Sequence, residues 1–123
     1  MTEYWVLELL HKGTHLATSI EASDETKLAW VGVYSLNPSR ESTALSLRQF
    51  GVEAPVDGSP IYVVRAFEVA RTIIDADVWF GEDELNNKIH VLVIGDEALR
   101  EVLGQAGTSL DQLERPYKSN YPI

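Results

Sequence analysis

Residues 60–75 read PIYVVRAFEVARTIID. Within them Val63, Phe67, Ala70 and Ile74 recur at the spacing of one helical face, while Arg65, Glu68, Thr72 and Asp75 fall on the opposite face. Ser59-Pro60 supplies a start, because proline suits a first helical turn whose N–H groups lack intrahelical partners anyway. The pattern predicts an amphipathic helix over 60–75.

Working outward, residues 88–95 (KIHVLVIG) form a β-branched run closed by glycine and predict a strand over 88–94. Residues 96–107 (DEALREVLGQAG) then read as a short helix with acids in its first turn, and SLDQL (109–113) adds one more turn. Upstream, GVEAPVDGSP (51–60) is a turn-rich loop, and Asn37-Pro38 opens a helix over 38–50 that stops at Gly51. Residues 28–36 are apolar on every side, so periodicity does not separate helix from buried strand; the acids behind Ser23 favour a helix. At the start, YWVLELL (4–10) alternates Trp5, Leu7 and Leu9 against Glu8, and HLATSIEA (15–22) returns after a turn at Gly13, as in a hairpin. The fold class predicted is α+β: a small, largely antiparallel sheet, built from the N-terminal hairpin plus strand 88–94, packed against two to four helices. The length fits one globular domain over 1–123.

The chain carries 19 Asp and Glu against 10 Lys and Arg, a formal charge of −9. Phosphate backbones are bound through Lys and Arg, and anionic bilayers repel a net negative chain, so nucleic acid and membrane are not expected partners. A basic protein partner is; the same charge also serves solubility alone. There is no Cys, hence no disulfide, thiol nucleophile or thiolate metal site, which fits a reducing compartment. MTEYWVLELLHKG lacks a basic n-region and a small-residue cleavage site, and no apolar run approaches the roughly 18 residues of a span, so a cytoplasmic location is expected. A homo-oligomer is possible if a second copy hides 28–36.

Metal is not expected. Glu8, His11 and His15 have usable spacing across a hairpin turn but lack a fourth ligand, and Asp75 and Asp77 are followed by Trp79 and Phe80 where a calcium loop needs oxygen and glycine. No G-x-S-x-G, H-E-x-x-H or Walker lysine is present, and Asp96 and Glu97 behind Gly95 repel phosphate. No catalytic residue and no cofactor is assigned. The alternative to a binding protein is a small enzyme or ligand-binding domain with a pocket between the sheet and helix 60–75, using His90 or the Asp75 and Asp77 pair.

The partner-binding candidates come from DADVWFGEDE (75–84): Asp75, Asp77, Glu82, Asp83 and Glu84 steer, and Trp79 or Phe80 anchors. Between Thr72 and Asn87 there is no base, so the segment is expected to end its field in solvent or on a partner. In size, acidity, lack of cysteine and absence of a catalytic motif the chain is similar to bacterial immunity proteins and nuclease inhibitors, which cover the basic site of a toxin. That resemblance implies an inhibitor or immunity-type role. The segment 115–123 (RPYKSNYPI) reverses the charge and is either laid on the acidic body or mobile.

Overall fold

In the computed structural model, which describes residues 1–37, 40–53, 55, 58–77 and 80–122, the stretch 61–70 is a strand and not a helix. This strand, β3 (Ile61–Ala70), is buried on both sides: Tyr62, Val64 and Ala66 enter one core, and Phe67 and Val69 enter another. A strand covered on both faces has little polar surface to present, so apart from Arg65 and Glu68 it reads as an apolar run. The helical spacing arises because Val63 and Phe67, four apart, share a face in a strand as well as in a helix. Only α3 (Arg71–Asp75) at its end is helical, and none of its residues is buried.

Residues 4–10 are corrected in the opposite sense. Thr2 accepts the Trp5 N–H at 3.4 Å and starts α1 (Glu3–His11), whose Val6 and Leu10, four apart, are fully buried. The alternating set is set aside: Trp5 is 58% exposed. The hairpin is instead β1 (Leu16–Ile20) with β2 (Lys27–Leu36), so 28–36 is strand as well. β2 is paired on both edges and buried at Ala29, Trp30, Val31 and Val33, so its apolarity is used within the chain and requires no second copy. Three elements follow the sequence closely. They are α2 (Glu41–Phe50), closed by Gly51 in the left-handed region at φ 69°; β4 (Asn86–Ile94); and α4 (Asp96–Gln105). Pro38 lies outside the described residues.

The result is an α+β fold with a four-stranded antiparallel sheet in the order β1-β2-β3-β4. One face packs on α1, α4 and the turn at Leu110–Gln112 through Val6, Leu10, Leu99, Leu103 and Leu110. On the other, Trp30, Phe67, Val69 and Leu85 form a second core. The chain's last described residues cover this face rather than moving freely. Glu114 exchanges backbone hydrogen bonds with Ala17 at 2.8 and 2.9 Å, the Trp30 indole N–H donates to the Ser119 carbonyl at 2.8 Å, and Tyr121 packs on Phe67. Among the described residues no helix is long and apolar enough to cross a membrane.

Candidate functional site

Antiparallel pairing brings three segments that are distant in sequence to one end of the sheet. They are the β1–β2 turn (21–26), α3 with the residues after it (71–77), and the approach to β4 (80–87). The first two are tied together: the Arg71 N–H donates to the Thr26 carbonyl at 2.7 Å, and the Arg71 side-chain Nε donates to the Glu25 carbonyl at 3.1 Å. This end holds Glu21, Asp24, Glu25, Asp75, Asp77, Glu82, Asp83 and Glu84, against Lys27, Arg65, Arg71 and Lys88.

The acidic stretch 75–84 divides into committed and uncommitted groups. Glu82 is committed: the Arg65 guanidinium of β3 pairs with it, and Lys88 Nζ of β4 lies 3.8 Å away. The expectation that no base neutralises this segment is therefore corrected, because β3 supplies Arg65 and β4, which follows directly, supplies Lys88. Phe80 is half-buried and packs against the Trp30–Phe67 core. Trp79 lies outside the described residues. Asp75, Asp77, Asp83 and Glu84 are exposed and have no ion pair among the described residues, and Asp77 takes a left-handed backbone at φ 52°.

Sequence reading missed Glu21 and Glu25. They are exposed, equally unpaired, and placed beside the 75–84 acids only by strand register. The available signal was three acids in one hairpin turn, obscured because the hairpin had been placed elsewhere. Asp24, in the same turn, is partly answered: the hydroxyl and N–H of Thr26 hold its carboxyl below the ordinary value, and Lys27 lies 3.8 Å away.

With no helix over 60–75, the pocket expected there does not form. A cleft of roughly 540 Å³ opens instead at the opposite end of the sheet, lined by His11, Lys12, Ser35, Asn37, Arg40 and Ser59 among others. Beside it the Tyr62 hydroxyl donates to Asp96 Oδ1 at 2.7 Å, and His11 Nε2 lies 2.9 Å from that hydroxyl. Burial pushes the Tyr62 phenol up, and its hydrogen bond to the Asp96 carboxylate pushes it further. The phenol stays protonated, so it ties α1 to α4 and supplies no phenolate. His15 turns away, its ring edge-on to Tyr34 and Tyr121, and among the described residues no three His, Asp or Glu gather to hold a metal. His90 packs on Phe50 with ring centroids 5.2 Å apart; burial and then the charge of Arg65 lower its pKa.

Compared with protein-family models, with curated proteins and with solved structures, the chain finds no match, and its own residues alone carry a functional reading.

Proposed function

We propose that the chain is a protein-binding module whose acidic end covers a basic surface of a partner, as an inhibitor or immunity-type protein covers a toxin or nuclease domain. The observation that carries this reading is the gathering of Glu21, Glu25, Asp75, Asp77, Asp83 and Glu84 from three segments, with no ion pair among the described residues. Like charges crowded on one end repel each other in the free protein, and a Lys- and Arg-rich surface relieves that repulsion on docking. The same field accelerates encounter.

Selection from a random peptide library displayed on phage tests the reading. The wild-type chain is expected to enrich peptides rich in Lys and Arg. Binding is expected to be lost when Asp75, Asp77 and Asp83 become Asn and Glu84 becomes Gln, and to persist when Glu41, Glu53, Glu101 and Asp111 are neutralised instead. Peptides without basic residues, or equal loss in both variants, would count against an acidic docking end.

A second reading, binding of a small anion, is favoured by Lys12 and Arg40, which line the opposite cleft and have no carboxylate partner among the described residues. Calorimetric titration with inorganic phosphate separates it from the first: heat that vanishes in Lys12→Ala and Arg40→Ala supports it, and no heat removes it.

A further inference from the structure

Next to the acidic end, on the sheet face that α1 and α4 cover, a groove lies over the sheet, with Ala29 and Ala66 buried at its bottom and Ile89 exposed at its rim. α4 stops at Gln105, and beyond it a row of residues crosses the strands: Ile20 of β1 pairs with Ala29 of β2, and Ala29 with Glu68 of β3. On the same face Ala66 pairs with Ile89 of β4, which is 44% exposed. Two alanines in the middle of this floor leave room where larger side chains would fill it. The result is a groove of roughly 500 Å³, walled on one side by Ala106 after α4 and on another by Glu21 and Ser23 of the β1–β2 turn.

Glu68 lies in this groove with a relative exposure of 9%. Its Oε2 accepts the Ser23 N–H at 3.1 Å and the Ser23 hydroxyl at 2.8 Å, and its Oε1 accepts Asn87 Nδ2 at 2.8 Å. Burial raises its pKa, but these three bonds, together with the charge of Lys27, hold the carboxyl below its ordinary value, so it is ionised at neutral pH. All three donors are neutral, and among the described residues no Lys or Arg comes within ion-pair distance of it. A carboxylate withdrawn from water this way keeps its full charge, and Oε1, with one donor, retains a lone pair for a second.

An apolar floor leading to a carboxylate that has three neutral donors and no ion pair among the described residues selects its occupant. A neutral apolar side chain leaves the charge unanswered, an anion is repelled, and a bare metal ion finds too few oxygens. A long side chain with an aliphatic stem and a cationic tip answers both parts. We infer that this groove receives a lysine or arginine side chain of the basic partner, its stem along Ala29, Ala66 and Ile89 and its charged head on Glu68 and Glu21. This rests on the protein-binding reading above and gives it a central contact: the exposed acids steer, and the groove holds.

The probe is a short lysine-containing peptide titrated into the labelled protein and followed by NMR, beside the same peptide with norleucine in place of lysine. The lysine peptide is expected to shift the methyl signals of Ala29, Ala66, Ile89 and Ala106, and the norleucine peptide is not. Glu68→Gln, and independently Ile89→Lys, which leaves the Glu68 hydrogen bonds in place, are each expected to weaken that binding about tenfold. Equal shifts from both peptides, or undiminished binding in both variants, would overturn the inference. Shifts confined to the amides of Asp75, Asp77, Asp83 and Glu84 would overturn the groove and leave the acidic docking end standing. No shift at either place would remove both.

Discussion

Phe67 is 1% exposed, held between Trp30 with ring centroids 6.0 Å apart and Tyr121 at 5.5 Å, with the Arg65 guanidinium over its ring. Phe67→Ala is expected to cost about 3–5 kcal/mol in a urea titration, since the side chain is lost and its neighbours relax only in part; a loss under about 1 kcal/mol would place the ring at the surface. His15 behaves differently. Its Nε2 is buried without a hydrogen-bond partner, and burial lowers its pKa below the ordinary 6.5. The unfolded chain therefore takes up a proton at a higher pH than the folded one. The stability tied to neutral His15 is complete above the unfolded value and is lost as pH falls through 6.5 towards the lower folded value. The urea midpoint is expected to drop between about pH 7.5 and 5.5, and to drop less in His15→Phe, which keeps a ring but cannot be protonated. An undiminished drop in that variant would assign the proton to another group, His90 first.

At the scale of elements, the C-terminal segment and β2 depend on each other through Gly32. A Cβ there would sit 2.5 Å from the Tyr121 hydroxyl and 3.0 Å from His15 Nε2, so glycine is what lets the tyrosine lie against the sheet. Burial pushes the Tyr121 phenol up to about 12, as expected of a ring docked there. Gly32→Ala is expected to destabilise by about 1–3 kcal/mol, the usual cost of overpacking. It is also expected to expose Tyr121, readable as faster tryptic cleavage after Lys118. Unchanged cleavage would mean that the segment is held by Trp30 and Ala17 alone. This dependence has no local signature, which is why the sequence left the segment undecided. β4, α2 and α4 were legible because Gly95 and Gly51 punctuate them and their apolar spacing fits one period only. β3 was not: Val63 and Phe67 satisfy both periods, and the sheet buries both sides of the strand. In α1 the Thr2 cap was readable, but the alternation of Trp5, Leu7 and Leu9 outweighed the Val6 and Leu10 pair that the helix buries. The exposed acids Asp75, Asp77, Asp83 and Glu84 were legible as a run of carboxylates. Of the partners of Glu82, Lys88 stands just beyond the acidic segment, whereas Arg65 was hidden because it reaches Glu82 only through the pairing of β3 with β4.

At the scale of the whole molecule, the net charge of −9 matters less than where it lies. One end of the sheet concentrates carboxylates, and the opposite end carries Lys12 and Arg40 around a cleft. On the proposed reading, a field of this shape would orient an approaching basic protein as well as attract it. Localised charge and net charge make different kinetic predictions, because rim acids act mainly on association. The decisive measurement is stopped-flow association with a basic peptide from the selection, at low and high salt, for three proteins: wild type, the variant neutralised at Asp75, Asp77, Asp83 and Glu84, and the variant neutralised at Glu41, Glu53, Glu101 and Asp111. The expected result is slower association with a flatter salt dependence in the first variant, and near wild-type rates in the second, although both lose the same charge. Equal slowing in the two, or no slowing in the first, would contradict the acidic end as the docking surface.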